Sequence, residues 1–553
     1  MTFRDALAER LARPQRHRLL QGFPAVPAMV AAAPDDEARR EVSRRFATFE
    51  GAGLVRGLDG ALIDEGFAAA RATLLKRQPA ALPQEPDTPE WRALREQSRA
   101  RVEEERRQTQ RIVEAGDRSE PPSLTIDATR ALIVGVIPHT QCVPRREACG
   151  FCTFPHDAPS PLGRSHMIGA VCGDIERLTR RAPLSGRSVE AIYLGGGTAN
   201  LSSPAQVNEL VQALARHLRI HDAELTLEGT PRLFEGLFFS HLKNLAELPV
   251  GQRRISMGIQ TFDDGLLRLM GRERFGDAAL VRKLVKRCRA LGITTSGDLL
   301  FNLPGQTPAQ MDYDVDTALD AGLDQICLYH LVLYQGLGTP WANDAALLAL
   351  APDNARACQQ WLRLRERLLE AGYVQSTLTN FERRDIAEGP RRFRYETASF
   401  SAERTDGIGF GPLSLSTFLN WSERRGVKLL RRKDLGPPPW SGADLMFCYD
   451  EHTLRLLFLT RGLAKTRVDG ATYRGLFGTD LQEDFREALS ALVDQQLVVL
   501  AGGALALTPL GMFFADAVVS LLAVGVPHAQ GAGEHTRDLL REVPRAGDYY
   551  GMG

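Results

Sequence analysis

The sequence predicts an α/β protein whose core is a partial (β/α)6 barrel of the TIM type. Between residue 132 and about residue 341, short runs rich in β-branched and aromatic residues alternate with stretches of helical periodicity. A strand followed by a helix, repeated along the chain, is typical of a parallel sheet. About six such units are present, and they predict a sheet that curls into a partial barrel.

The predicted strands and helices follow one another in order. The strands are LIVGVI at 132–137, EAIYLG at 190–195, ELTLEG at 224–229, RISMGIQ at 254–260, TTSGDLLFNLP at 294–304 and QICLYHLVLY at 325–334. Helices are predicted between them at 207–218, 265–270, 278–290 and 308–321. Barrels of this kind bind their ligands at the carboxyl ends of the strands. The motifs that follow the strands are therefore expected on one rim.

The whole chain is predicted to divide into five regions. They are an N-terminal helical extension (1–125), the barrel core (126–345), a connecting region that completes the core (346–440), a winged-helix-like α+β domain (441–525) and a flexible tail (526–553). The clearest helix of the extension is predicted at 88–116, where helix-forming residues carry interspersed charges. A short β pair at 497–508 suggests the wing.

Composition and charge limit the classes of partner and location. The chain of 553 residues is 44% hydrophobic and has 68 basic and 68 acidic residues. This balance removes the main electrostatic argument for a nucleic-acid or anionic-membrane partner. The N-terminus has no secretory pattern, and the longest apolar stretch, 511–527, is short for a bilayer and contains Asp516. We expect a cytoplasmic monomer without nucleic-acid or membrane partners.

Three of the eight cysteines lie within eleven positions, directly after the first predicted strand. The stretch HTQCVPRREACGFCTFPH supplies Cys142, Cys149 and Cys152 in a C-x6-C-x2-C pattern. Thiolates are soft ligands that suit iron–sulfur clusters or zinc. Three cysteines would leave one iron of a [4Fe-4S] cluster open to S-adenosylmethionine (SAM). Alternatively, His139 or His156 could complete a Cys3His zinc site.

Two neighbours of the cysteines suit a cluster. Gly150 can supply the tight turn of the C-x2-C half, and Phe151 can shield a cluster from water. The remaining cysteines are isolated and are interpreted as buried small apolar residues; they are Cys172, Cys288, Cys327, Cys358 and Cys448.

Four further motifs follow the cysteine loop in a distinctive order. They are YLGGGTAN (193–200), TLEGTPRLF (226–234), RISMGIQTFDDGLLRLMGR (254–272) and GDLLFNLPGQT (297–307). Three consecutive glycines at a strand end expose backbone N–H groups that can bind a carboxylate. With these motifs, the sequence resembles the oxygen-independent coproporphyrinogen III oxidase (HemN-like) family of radical SAM proteins over roughly 130–525, including LTPLGMFFADAVVSLL at 507–522.

The resemblance implies a [4Fe-4S] cluster and one or two SAM molecules as cofactors. By motif match, the cluster ligands are Cys142, Cys149 and Cys152. The residues that would bind SAM are Phe151, Gly195, Gly196, Gly197, Thr198, Glu228, Gln260, Arg272 and Asp298. Glu228, Arg272 and Asp298 are also the catalytic assignments, and the alternative for these three is an ordinary ion-pair network.

The sequence departs from the family pattern at several positions. Relatives have C-x3-C-x2-C directly after Ile-Pro-Phe, whereas here Ile-Pro is followed by 139–141 and the first spacing is longer, so the loop must bulge. Val134 replaces a tyrosine, Thr153 and Phe154 stand where the oxidases have a further cysteine, and Ala199 replaces a proline. These departures argue against porphyrinogen decarboxylation.

Three functions share this core. The first is a SAM-dependent methylation or other modification of an unreactive carbon of an aromatic, heterocyclic or tetrapyrrole substrate. The second is oxidative decarboxylation of coproporphyrinogen III. The third is a haem-binding carrier without turnover, whose His-Asn and Tyr-Trp signature is replaced here by RYETASF at 394–400. Either enzyme would need a small-molecule substrate and an electron donor such as flavodoxin or ferredoxin.

Overall fold

A computed structural model describes most of the chain from residue 126 onwards. The described residues are 3–12, 126–143, 149–152, 154, 157–180, 184–333, 339–431, 435, 445–449 and 451–525. The helix predicted at 88–116, most of the predicted N-terminal extension and the predicted tail at 526–553 lie outside them. No helix in the described part is long and apolar enough to span a membrane.

The described residues form one large sheet with a parallel centre. Its order is β12-β11-β10-β9-β1-β2-β3-β4-β5-β6-β8-β7. Strands β1 to β6 are parallel and lie side by side in chain order, and β9 joins β1 in parallel. The strand bounds are β1 Ala131–Val136, β2 Val189–Leu194, β3 Glu224–Gly229, β4 Gln252–Gln260, β5 Ile293–Phe301, β6 Gln325–His330, β7 Tyr373–Gln375, β8 Asn380–Arg383, β9 Thr405–Phe410, β10 Leu415–Asn420, β11 Arg425–Leu430 and β12 Leu445–Tyr449.

Helices connect and cover these strands. Their bounds are α1 Phe3–Ala12, α2 Pro161–Thr179, α3 Pro204–Ala215, α4 Pro231–Glu235, α5 Ser240–Glu247, α6 Asp264–Leu269, α7 Ala278–Ala290, α8 Pro308–Ala321, α9 Ala345–Ala349, α10 Asn354–Glu370, α11 Arg384–Ala387 and α12 Tyr395–Ser399. Several begin at side chains that cap the first turn. Thr307 and Gln310 form a capping box at the start of α8, and Pro308 occupies the first turn, where its missing N–H costs nothing.

One short segment shows that the sheet curls. Glu224 of β3 accepts hydrogen bonds from the backbone N–H groups of Arg394 (3.0 Å) and Tyr395 (3.2 Å). The next residue, Glu396, accepts one from Asn380 of β8. Strands β3 and β8 lie four positions apart, roughly 19 Å in a flat sheet. Adjacent residues can touch both only if the sheet curls around α12, so the prediction of a partial barrel is confirmed. We call the enclosed space the lumen.

The region at 346–440, for which no strands or helices were predicted from the sequence, contains regular elements. It contains the 17-residue helix α10 and strands β7 to β11. The stretch at 406–416 is rich in glycine, which is depleted in strands. It forms β9 and the start of β10, and the glycines of β9 lie beside Ile133 and Gly135 of β1.

The C-terminal region, which was predicted to be winged-helix-like, combines a small antiparallel sheet with helices. A three-stranded antiparallel sheet has the order β13-β15-β14, with bounds β13 Arg467–Asp469, β14 Val498–Ala501 and β15 Ala504–Leu507. The helices of this region are α13 Glu451–Ala464, α14 Gly470–Phe477, α15 Leu481–Asp484, α16 Arg486–Asp494, α17 Pro509–Phe513 and α18 Ala515–Gly525. Helix α1 packs on α16 and α18 through buried Leu7, and the Asn354 side chain donates to Leu11 O (2.8 Å).

Candidate active site

The cysteine loop is closed at its base by a short ladder of hydrogen bonds. The Cys142 N–H donates to Asp157 O (3.1 Å), and the Asp157 N–H donates to Thr140 O (2.9 Å). The Gln141 amide accepts from Ser160 N and donates to Ser160 O, both at 2.9 Å. The residues added before the first cysteine therefore build this base, while residues 144–148 of the longer spacing lie outside the described residues.

The three cysteines of the loop lie close together near the carboxyl end of β1. Cys149 is 5% exposed, Cys142 and Cys152 are half-buried, and the Cys152 N–H donates to Cys149 O (3.1 Å). Burial raises the pKa of each thiol, and a neighbouring cysteine sulfur raises each pKa further. Bringing three soft donors together in a shielded position suits a bound metal group.

Two other parts of the rim donate hydrogen bonds towards the sulfurs. The Thr198 hydroxyl lies 3.1 Å from Cys142 Sγ, and the Arg272 guanidinium donates to Cys149 Sγ (3.8 Å) and to Gly258 O (2.6 Å). Both contacts lower the pKa of the thiol concerned. The sequence motifs assigned Thr198 and Arg272 to SAM binding. Their contacts with the cysteine sulfurs were not predicted. Hydrogen bonds to ligand sulfurs tune iron–sulfur clusters.

The glycine loop after β2 lies directly against the cysteine loop. Gly196 and Gly197 have φ of 84° and 52°, which glycine adopts without strain. A Cβ on Gly197 would lie 2.5 Å from Gln141 O, and the Thr198 N–H donates to that same oxygen (3.0 Å). Within the described residues, the N–H groups of Gly196 and Gly197 donate to no backbone acceptor. Backbone N–H groups in such a turn can bind a ligand carboxylate.

The predicted carboxylates lie on the lumen face close to this loop. Glu228, in β3, raises the pKa of Cys152 by its charge, and a Cβ on Gly195 would lie 2.6 Å from Glu228 Oε2. Asp298, in β5, pairs in register with Gly258 of β4. Burial raises the pKa of Tyr193 well above its usual range, and the charges of Glu228 and Asp298 raise it further. The two carboxylates and the phenol thus share one polar environment.

Gln260 ends β4 in a conformation that is unusual for its residue type. Its φ is 73°, in the left-handed region that disfavours residues with a Cβ. A Cβ built on Gly258 would lie 3.1 Å from Gln260 Nε2 and 3.3 Å from Arg272 Nη2. Gln260 and Arg272 therefore lie together at the end of β4, as their common motif predicted. Strained backbone of this kind is concentrated at functional sites.

Trp341 covers the cysteine loop, and sequence reasoning missed it. Its backbone N–H donates to Gly150 O (3.0 Å), and a Cβ on Gly150 would lie 2.0 Å from its indole ring. The ring also meets Phe151 edge-on, with centroids 5.7 Å apart. Gly150 is therefore required for close packing as well as for the turn. Trp341 lies 191 positions after this glycine, and no local pattern links them.

Below the rim, the lumen is lined by small and polar side chains. Thr226, Ser256 and Ser296 are buried there, where closed barrels have bulky aliphatic residues. Cys327, interpreted from the sequence as an apolar filler, instead donates to Asn380 Oδ1 (2.7 Å). The interpretation was wrong for this cysteine because its strand turns it towards the polar lumen.

These residues fit a [4Fe-4S] cluster. Three sulfurs from one stretch of chain converge, with an alcohol and a guanidinium as donors to two of them, and such a donor set is typical of a cluster. Among the described residues, no three His, Cys, Asp or Glu side chains are close enough to hold a single metal ion. Of the two histidines considered for zinc, His139 belongs to no such group among the described residues, and His156 lies outside them.

Two family models match the chain at the places where these features lie. Residues 137–318 match the radical SAM superfamily, and 459–514 match the HemN C-terminal domain. The fold, the cysteine loop and the first match define a radical SAM protein, a class whose members bind a [4Fe-4S] cluster and SAM. The second match adds the C-terminal domain of HemN, so the chain resembles the HemN-like family of radical SAM proteins in both its core and its C-terminal region.

Similar proteins agree with this assignment. Radical S-adenosyl methionine domain-containing protein 1, mitochondrial, of Bos taurus is 27% identical over 61% of this chain and 72% of its own length. Heme chaperone HemW of Synechocystis is 29% identical over 43% of this chain and 57% of its own length. The fold matches coproporphyrinogen III oxidase (HemN) from Escherichia coli with a TM-score of 0.58 and 18% identity, over 72% of this chain and 91% of that one.

Proposed function

We propose that the protein is an enzyme that cleaves SAM reductively and uses the resulting 5′-deoxyadenosyl radical on an unreactive carbon. The substrate is an aromatic, heterocyclic or tetrapyrrole compound, and the change is a methylation or a related modification. The observation that carries the proposal is the convergence of the three cysteines with Arg272 and Glu228 on one rim. When bound at the cysteines, a [4Fe-4S] cluster supplies the electron that cleaves SAM.

The chain's own residues would hold SAM in place. The N–H groups of Gly196 and Gly197 face no backbone acceptor among the described residues, which suits the methionyl carboxylate. Glu228 lies on the lumen side of the glycine loop, where a carboxylate would attract the positively charged amino or sulfonium group. Phe151 and Trp341 pack on the loop and would exclude water from it.

The lumen would hold the substrate. Two tyrosine rings lie inside it, Tyr193 and Tyr395, with centroids 5.0 Å apart and planes inclined at 36°. Gly135 leaves room for the Tyr395 hydroxyl, since a Cβ there would lie 2.9 Å from it. Aromatic walls favour flat ring systems. The space next to the carboxylates and tyrosines is therefore suited to an aromatic or heterocyclic substrate.

Oxidative decarboxylation of coproporphyrinogen III is the alternative, and it is supported by sequence similarity to a protein named oxygen-independent coproporphyrinogen III oxidase. A haem carrier is the third, after the name of the Synechocystis relative. Tyr395, in the stretch that replaces the carrier signature, packs against Tyr193 in the lumen. This use of Tyr395 favours a substrate pocket over a carrier site.

Label tracing separates these functions. We expect reduced holoenzyme, supplied with methyl-deuterated SAM and tested on coproporphyrinogen III, haem and tryptophan, to place deuterium in one product, because SAM would donate its methyl carbon. The measurement is mass spectrometry of the products, with carbon dioxide followed in parallel. Unlabelled product with carbon dioxide release would establish the decarboxylase. Tight haem binding without SAM cleavage would establish the carrier.

A further inference from the structure

A buried carboxylate lies outside the proposed site and connects the ends of two strands that carry site residues. Asp314 of α8 is 2% exposed. It accepts hydrogen bonds from the Thr261 hydroxyl (2.8 Å), the Phe262 N–H (2.5 Å) and the Gln306 side-chain amide (3.0 Å). All three are donors, so an acceptor-only carboxylate satisfies each of them.

The partners of Asp314 are connected to two residues with unusual backbone conformations. Thr261 follows Gln260, the last residue of β4, whose φ is 73°. Gln306 accepts from the Leu303 N–H (3.1 Å), and Leu303 follows Asn302, whose φ is 63°. Residues with a Cβ rarely adopt this region unless surrounding contacts hold them there. Asp314 supplies such contacts to both strand ends.

We infer that Asp314 is a positioning residue for the SAM site. By holding the turns after β4 and β5, it fixes Gln260 and the end of the strand that carries Asp298, so both side chains meet a ligand at the rim. The inference explains why Gln306 belongs to the GDLLFNLPGQT motif, since its amide links the β5 turn to Asp314. It rests on the proposed function, because the ligand that these residues would meet is SAM.

The amino-terminal ends of the same part of the sheet, opposite the rim, offer a matched control. Asp324 is 5% exposed and accepts from the Thr295 N–H (3.0 Å) and hydroxyl (3.1 Å), with Arg383 at 3.4 Å. It therefore ties β5 to the residue before β6 much as Asp314 ties β4 to β5. Because Asp324 lies before β6 begins, its contacts are remote from the rim, and an effect of general stability should appear equally in both variants.

The test compares Asp314→Asn and Asp324→Asn in the full chain. Hydrogen–deuterium exchange of cluster-free protein reports the Phe262 and Leu303 amides, and calorimetry of reconstituted protein reports SAM affinity. We expect Asp314→Asn to speed exchange at both amides and to weaken SAM binding about tenfold, while Asp324→Asn leaves SAM affinity within about twofold. Thr261→Val, which removes one donor only, should give a smaller change in the same direction and serves if Asp314→Asn does not fold.

Three outcomes would overturn the inference. Equal loss of SAM affinity in the Asp314 and Asp324 variants would assign Asp314 a structural role only. Faster exchange at Phe262 with unchanged SAM affinity would show that the turns do not position the ligand, while leaving the proposed function intact. Wild-type holoenzyme that binds no SAM would remove the proposed function, and the inference with it.

Discussion

Cys149→Ala is expected to abolish both iron binding and SAM cleavage while the protein stays folded. Cys149 is the most buried of the three loop cysteines and the one whose sulfur Arg272 approaches. Without it, two thiols remain, and a cubane held by two residues of a loop loses its site. The measurements are iron content after anaerobic reconstitution and chromatography of 5′-deoxyadenosine. We expect iron to fall close to background, and 5′-deoxyadenosine to be undetectable.

Cys358→Ala is the matched control for this variant. Cys358 is 7% exposed on α10, packs in the main hydrophobic core and lies outside the cysteine loop. Its replacement should cost about 1 kcal/mol of stability through a small cavity and leave iron content unchanged. If Cys149→Ala keeps its iron and cleaves SAM at the wild-type rate, the ligand assignment is wrong.

Glu228→Gln is expected to have the second-largest effect. The substitution keeps the size of the side chain and removes the charge that lies beside Cys152 and the glycine loop. If this carboxylate binds the positively charged part of SAM, its loss should weaken SAM binding by about 1.5 to 3 kcal/mol, or roughly 10- to 100-fold. Calorimetric titration of SAM into the reconstituted variant measures this change directly.

Glu224→Gln provides the comparison on the same strand and the same face. Glu224 is fully buried at the amino-terminal end of β3, four residues before Glu228, with Gln252 Nε2 at 3.0 Å and Arg254 Nε at 3.7 Å. Neutralising it leaves the Arg254 charge poorly compensated, which should cost about 3 kcal/mol of stability. SAM affinity should stay close to wild type. A Glu228 variant with normal SAM affinity would mean that this carboxylate belongs to an ordinary ion-pair network.

The barrel strands were predictable because each is a short apolar run that ends in a motif. Strands β1 to β6 lie within three residues of the predicted starts. Parallel strands buried on both faces produce such runs. Strands β7 to β11 were not predicted from the sequence. These strands contain glycines and polar residues, such as Gly407 beside Ile133. Such residues are accommodated by packing around α12, and a local sequence pattern does not reveal this packing.

The candidate site was predictable where a single sequence motif contains a residue and also indicates its role. The cysteines, the glycine loop, Glu228 and Asp298 fall into this group, and the structure brings them to one rim. The contacts of Trp341 with Gly150 and of Arg272 with Cys149 depend on parts of the chain more than a hundred positions apart. Such contacts arise from tertiary packing, so the sequence shows the residues without showing that they meet.

The most direct test of the central claim is electron paramagnetic resonance of the reduced, anaerobically reconstituted protein with and without SAM. The account predicts about four irons per chain, a reduced-cluster signal that changes when SAM is added, and release of 5′-deoxyadenosine. A colourless protein with one zinc ion per chain and no SAM cleavage would contradict it.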